Sequence, residues 1–363
     1  MPSLHTPLCD LLGTRLPIIQ APMAGGACTP KLVAAATSAG VLGSFGFAYT
    51  QPDAMKRDVN SVRTSTTGPL NINLFVAPTP GPIAADAQRA AIDAVSRYYL
   101  ELGLPVPAPV SAPYAPDLET QLNAVESIRP AVLTVHLGEC SADRVKSMQR
   151  LGIRVGGSAT CVAEALRLQV LGFDFIIAQG GEAGGHRGSF LREPYTALTG
   201  TLALVRMIVA AVKIPVVAAG GIMDGAGIAA ALALGAQGAQ LGTAFLTCEE
   251  SGASAIQKRR LLEVAEDETM LTSKFSGKPA RGLSNRYLRE MNASDAPVLA
   301  FPAQNALTGP LRAASARADN PEFVAMWAGQ AAPLARALSV AELVERLEVE
   351  TIEAIDRVAR LRR

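Results

Sequence analysis

Eight short apolar runs, separated by helix-like stretches rich in alanine and leucine, restrict what this chain can fold into more than any other feature. The runs are Ile18 to Met23, Val41 to Phe45, Leu70 to Val76, Ala131 to Leu137, Arg154 to Ser158, Phe173 to Gln179, Pro215 to Gly220 and Gly238 to Leu241. Several are β-branched, as in strands of a parallel sheet covered on both faces by crossover helices. Helical patterns lie between them over Pro30 to Ser38, Asp53 to Val62, Ala142 to Leu151, Val162 to Leu171, Leu202 to Val212 and Gly225 to Leu234. Gly40, Gly152, Gly172 and Gly235 follow helix candidates where a left-handed C-terminal residue is favoured. Eight alternating units predict an α/β fold, a (β/α)8 TIM barrel in preference to an open doubly wound sheet.

Barrels of this kind commonly run to about 250 residues, and this chain has 363. Two stretches longer than ordinary connections account for the surplus. One, Ala77 to Arg129, opens with the proline-rich APTPGP, carries a helical pattern over Ala84 to Glu101 and passes PVPAPVSAPYAP before a short helix. The other, Cys248 to about Asn320, is locally polar, with Lys274, Lys278, Arg281, Arg286 and Arg289. Beyond it, AELVERLEVETIEAIDRVARLRR has the apolar spacing of a helix on the outside of the barrel. The expected organisation is a barrel from residues 1–247 and 321–363, with a long insertion at 77–129, and an inserted lid or substrate subdomain at 248–320.

Composition narrows the partners. Lys plus Arg (33) and Asp plus Glu (32) nearly cancel, leaving no global field to favour nucleic acid or an acidic membrane. The most apolar stretch, Thr201 to Gly221, is interrupted by Arg206, Lys213 and Pro215, and reads as a helix followed by a strand, not a membrane span. The first residues lack the basic-then-apolar pattern of a secretory signal. Five dispersed cysteines without CxxC spacing fit reduced thiols and a cytoplasmic setting. Three histidines, His5, His136 and His186, do not suggest a metal cluster. A homo-oligomer is compatible with all of this.

Active sites of such barrels lie at the C-terminal ends of the strands, and the ends here are unusual. They include QAPMAGG (Gln20 to Gly26), NINLF (Asn71 to Phe75), QGGEAGGHRG after the sixth run, AAGGI (Ala218 to Ile222) and QLGTAF (Gln240 to Phe245). Glycine pairs can serve tight turns alone. Gly220 and Gly221 at the seventh end, beside Gly242 and Thr243 at the eighth, favour a phosphate site built from backbone N–H groups, with the helix after Asp224 adding its dipole. Glycines after the sixth run allow a flat ring to lie against the backbone. Gln179 could then meet the ring's polar edge, and His186 a substrate on its face. A lone loop histidine is ordinarily a surface group; the strand-end glycines favour a site role. His136 is equally a core imidazole or a site residue. Asn73 and Gln20 are either ligand-facing or locked in internal networks. Glu182 is an acid or base, or a solvated loop carboxylate. Cys28 and Cys248 have no neighbouring base in sequence. The basic stretch Thr272 to Arg286 is either a solvated loop or a contact for an anionic substrate or cofactor tail.

The segments PIIQAPMAGG, NINLF, QGGEAGGHRGSF, PVVAAGGIMDGAGIAAALALGAQGAQLGTAFLTCEES and SGKPARGLSNR together resemble the nitronate monooxygenase family, once called 2-nitropropane dioxygenases, in its bacterial class I form. The resemblance implies noncovalent FMN contacted by Ala21, Pro22, Met23, Asn73, Gln179, Gly184, Gly220, Gly221, Gln240, Leu241, Gly242 and Thr243, with His186 as the active-site histidine. It also implies oxidation of alkyl nitronates by O2 to a carbonyl compound and nitrite, by way of a flavin semiquinone, with propionate 3-nitronate as the physiological substrate. His186 would hydrogen-bond the nitronate and, if protonated, add charge stabilisation. The alternative on the same fold is an FMN-dependent NAD(P)H reductase of a quinone or an enoyl thioester, for which no second nucleotide fingerprint is evident.

Overall fold

The computed structural model describes residues 4–78 and 81–362. Met1–Ser3 and Arg363 at the expected barrel's ends, and Thr79 and Pro80 in its first insertion, lie outside the described residues. Eleven strands are present among the described residues: β1 (Ile18–Gln20), β2 (Gly43–Gly46), β3 (Leu70–Phe75), β4 (Val132–His136), β5 (Arg154–Ala159), β6 (Phe175–Gln179), β7 (Gly185–His186), β8 (Val216–Ala219), β9 (Gly238–Leu241), β10 (Thr269–Thr272) and β11 (Ala280–Leu283). Eight of them form one parallel sheet in the order β1-β9-β8-β6-β5-β4-β3-β2. A parallel bridge from Ile19 to Leu42 joins its two ends, and helices lie between successive strands, so the sheet is the expected TIM barrel. The seventh and eighth barrel strands are β8 and β9, because the short β7 intervenes.

The apolar runs form strands because both their faces are covered: every residue of β6 is buried, as is all of β4 except His136 at its end. Helix starts are set by local caps, as where the Ser141 hydroxyl accepts from Arg144 N and the Asp224 carboxylate from Gly227 N. The first run ends as a strand at Gln20, three residues short of expectation: Ala21 N makes the last ladder bond to the Leu241 carbonyl of β9, and Met23 N is taken by Cys28 Sγ. The C-terminal helix Val340–Ala359 opens with a capping box between Ser339 and Glu342. It crosses the helix Gly225–Ala233 so closely that a Cβ on Gly225 would lie 2.2 Å from Thr351 N.

Both excursions build one cap over the C-terminal end of the barrel. Tyr98 and Tyr99, from the helix Ala85–Glu101 of the first, share a core with Phe275, Tyr287, Met291, Leu307 and Leu311 of the second. Phe275 and Tyr287 stack with ring centroids 4.5 Å apart, and the Tyr99 hydroxyl donates to the Leu307 carbonyl. The stretch Thr201 to Gly221 is a helix, Thr201–Ala211, followed by β8, and no helix among the described residues is long and apolar enough to cross a membrane.

Candidate active site

Beneath the cap, a cavity of about 500 Å³ opens at the strand ends, within the usual range for small-molecule sites. Its wall includes Ala21, Pro22 and Met23 after β1, Asn73 on β3, Gln179, Gly184 and His186 at and after β6, Gly220 and Gly221 after β8, and Gln240, Gly242 and Thr243 at the end of β9. Leu241 is the exception among the thirteen residues expected to hold the cofactor or act on substrate. Its side chain is buried in the barrel core, and only its carbonyl, accepting from Ala21 N at 2.8 Å, reaches toward this end.

At β8 and β9 the main chain is bare. Gly220 and Gly221 take φ of +119° and +69°, a region L side chains rarely adopt. The amides of Gly221, Gly242 and Thr243 donate to no acceptor among the described residues. Gln240 Oε1 is likewise buried with no partner. A Cβ on Gly242 would meet only Ala21 Cβ at 3.5 Å and Met23 Sδ at 4.0 Å. Thr243 is buried, Gly242 half-buried and Gly221 exposed at the cavity mouth, so the three amides present free donors on one wall, which suits an anion held by main chain. The helix Gly225–Ala233 does not add its N-terminus as expected. Asp224 accepts from Gly227 N at 2.8 Å and Glu350 from Gly225 N at 3.1 Å, so two carboxylates already occupy that end.

Beyond β6 the loop folds back as β7, which pairs antiparallel with β11 of the cap in the register Ala280 to His186 and Arg281 to Gly185. Alternation then sends adjacent side chains to opposite sides. His186 faces the cavity, while Arg187, fully buried, donates to the carbonyls of Gly180 (2.7 Å), Gln179 (3.0 Å) and Ala197 (3.0 Å). Gln179 is spent on the same loop: Oε1 accepts from Gly188 N at 2.7 Å, and Nε2 donates to the His186 carbonyl at 3.0 Å. It therefore shapes the wall and has little left to offer a ring edge. Asn73 Nδ2 donates to Thr134 Oγ1 at 2.9 Å, and its Oδ1 has no hydrogen-bond partner among the described residues. Gln20 is locked internally, accepting from Ser44 N at 2.8 Å.

The hydrogen bonds assign both imidazoles. His136 Nε2–H donates to the His186 carbonyl (3.0 Å), so Nδ1 accepts from the Ser158 hydroxyl (2.8 Å). The Ser276 hydroxyl donates to the Lys278 carbonyl (3.0 Å), so Ser276 Oγ accepts from His186 Nε2–H (2.9 Å). His186 Nδ1 is left as a lone pair without a partner among the described residues. Burial first, then the charges of His136, Lys278 and Arg312, hold the His186 pKa at about 3. Burial likewise lowers His136 to about 4. His186 is thus neutral at physiological pH, contrary to the charged role considered from sequence, and His136 is a satisfied polar group beneath the His186 backbone.

That geometry sets a pH dependence. Between the depressed folded values and the ordinary 6.5, the unfolded chain binds more protons, so stability rises with pH and is lost as pH falls below 6.5. Each imidazole contributes a slope of up to about 1.4 kcal/mol per pH unit. The denaturation midpoint should fall between pH 7 and pH 5, less steeply in His186→Asn; equal slopes in the two proteins would contradict the assignment.

The other polar candidates are structural. Glu182 accepts from Thr201 N at 2.9 and 2.8 Å and from its hydroxyl at 2.7 Å, capping the helix Thr201–Ala211. Burial pushes the Cys28 thiol up to about 11 and Cys248 to about 12, far from a reactive thiolate. In the basic stretch, Lys274 binds the Ala296 carbonyl, Arg281 the Gly181 carbonyl, and Arg286 the carboxylates of Glu101 and Glu290. None of these cations lines the cavity. Arg312 does, along with Tyr49 and Trp327. The spacing Asn305, Gly309, Arg312, Ala313, Ala316 marks one face of the helix Ala303–Arg317, small except for one long cation, and was the available signal. His186 is boxed by Phe75, Phe301 and Trp327, with ring centroids 5.7, 5.4 and 5.6 Å away.

Comparison with known proteins agrees with this architecture. The family model described as nitronate monooxygenase matches residues 5–350. A nitronate monooxygenase of Pseudomonas aeruginosa is 43% identical, over 94% of this chain and 97% of its own length. The crystal structure of nitroalkane oxidase from Streptomyces ansochromogenes is similar at a TM-score of 0.90 and 38% identity, covering 97% of this chain and 99% of that one. FabK from Thermotoga maritima is similar at 0.77 and 25% identity, covering 98% and 99%.

Proposed function

The chain belongs to the nitronate monooxygenase family, and from that premise we propose that its cavity holds FMN and that the enzyme oxidises alkyl nitronates, propionate 3-nitronate among them, with O2 to a carbonyl compound and nitrite. The observation that carries this reading is the set of unused amides at Gly221, Gly242 and Thr243, on the same cavity as His186. These amides would receive the cofactor's phosphate, and the unpartnered Gln240 Oε1 would take a donor from its ribityl chain or ring. Ala21, Pro22, Met23, Asn73 and Gly184 would flank the ring, with Leu241 contributing main chain only. Bound flavin supplies the electron transfer that side chains cannot.

In this reading, residues 1–247 and 321–363 form the cofactor-holding barrel, and 248–320 with 77–129 the substrate cover. His186 is the catalytic residue. Its ring is fixed by Ser276 and the aromatic box, so its position does not drift as substrate enters. A nitronate arrives without its α-proton and needs no base. For a neutral nitroalkane, the Nδ1 lone pair is the group present to accept that proton. His186→Asn should keep its flavin and lose at least about tenfold in nitronate turnover, the lower range for a positioned proton-transferring or polar group; unchanged kinetics would remove the imidazole from the mechanism.

The reductase alternative is separated by mixing the purified flavoprotein anaerobically with NADH or with propionate 3-nitronate. Nitrite release in air and no bleaching by NADH supports the monooxygenase. Rapid bleaching by NADH, with no nitrite in air, would overturn it.

A further inference from the structure

Arg312 is the only charged side chain lining the cavity among the described residues; no Asp or Glu shares that wall. Two of its hydrogens are used within its own helix, where Nη2 donates to the carbonyl and to Oδ1 of Asn305, each at 2.8 Å. That leaves Nε, buried and without a partner, and Nη1, which donates to no acceptor among the described residues. No carboxylate among the described residues lies within ion-pair distance. Burial lowers its pKa, and the titratable groups beside it, the phenols of Tyr49, Tyr287 and Tyr99, are themselves raised by burial and uncharged at neutral pH, so they supply no counter-ion. Arg312 as a residue is half-buried, but a cation with a buried, unpartnered Nε–H and no counter-ion is costly unless an anion joins it. Arg312 and His186 line the same cavity, so the positive charge and the catalytic ring serve one chamber.

We propose that Arg312 is the specificity-determining residue of this enzyme, binding through Nε–H and Nη1–H the carboxylate at the far end of a nitronate substrate, so that carboxyalkyl nitronates are selected over uncharged alkyl nitronates. The proposal rests on the nitronate reading. It assigns the selecting charge to the helix Ala303–Arg317, not to the basic stretch 272–286, whose cations are spent on main-chain carbonyls and on carboxylates. Guanidinium and carboxylate match as planar partners with parallel hydrogen bonds.

The test compares propionate 3-nitronate with propyl 1-nitronate on the holoenzyme, and calorimetric binding of the unreactive dianion succinate with that of butyrate. In Arg312→Met, the ratio of kcat/KM for the carboxylated over the uncharged nitronate should fall by about 10- to 100-fold, the scale of a lost charge-assisted hydrogen bond. The change should sit in KM, and Arg312→Lys should restore part of it. The preference for succinate over butyrate should disappear in parallel, with flavin content and melting temperature retained. Equal losses on both nitronates would assign the guanidinium to the nitronate head, and loss of flavin would assign it to the cofactor; either overturns the proposal, as does an unchanged ratio. If the wild type releases nitrite from neither nitronate, the functional reading fails while the succinate comparison still decides the role of Arg312.

Discussion

Gly242→Leu is expected to fold as the wild type does and to bind FMN about 100-fold more weakly or worse, since blocking two charge-assisted amide contacts to a phosphate is worth roughly 3 kcal/mol. The site separates binding from folding. Gly242 has φ of −106° and ψ of −70°, accessible to any residue, and a Cβ there makes only ordinary contacts with Ala21 and Met23. A longer side chain there would enter the cavity that the free amides line. Gly184 is the contrasting control. A Cβ there would stand 2.5 Å from the Ala328 carbonyl carbon and 2.6 Å from Gly329 N, so Gly184→Ala should lower stability itself. The readout is FMN affinity by fluorescence titration of the apoprotein beside a thermal melt. Full flavin affinity in Gly242→Leu would mean the phosphate is held elsewhere.

The largest stability effect should come from a residue that never touches the ligand. Arg187 is fully buried and binds three backbone carbonyls that tie the end of β6 to the His186 loop and to Ala197. Burial lowers its pKa only to about 10, so it is charged at neutral pH. Arg187→Ala leaves a cavity and strips three carbonyls of their charged donor, the Gly180 carbonyl keeping its bond from Ala183 N, and should cost about 3–5 kcal/mol, the scale of large-to-small core changes and broken buried charge networks. Arg187→Met refills most of the volume without the donors and should cost less. Denaturant midpoints measure both, and a loss under about 1 kcal/mol in Arg187→Ala would show that the three carbonyls find other donors.

Much of the barrel was legible because its signals are local. Each run from Ile18 to Leu241 shows its strand character within a few residues, and the glycine pair at 220–221 marks its strand end by composition alone. The same locality explains why, of the twelve expected cofactor contacts and His186, all but Leu241 line one cavity. Leu241 misses because alternation along β9 turns its side chain into the core, between Gln240 and Gly242. What was not legible depends on contacts across long stretches of chain. The pairing of His186 with Ala280, the bond from His186 to Ser276 and the approach of Trp327 each span about ninety residues or more. Together they turn an apparent glycine loop into the edge of a small sheet and fix the imidazole's tautomer. The charge of Arg312 was overlooked for a related reason. The cap's many cations look equivalent in sequence, and only the fold shows that those of the basic stretch bind carbonyls or carboxylates while Arg312 faces the cavity.

The central claim is that main-chain amides at the ends of β8 and β9 grip a flavin phosphate beside His186. A crystal structure of the purified protein saturated with FMN tests it most directly. The account predicts phosphate oxygens within hydrogen-bond distance of the Gly221, Gly242 and Thr243 amides, with the His186 ring on the same chamber as the flavin face. An empty cradle, or a phosphate held at another wall with those amides still unused, would contradict it.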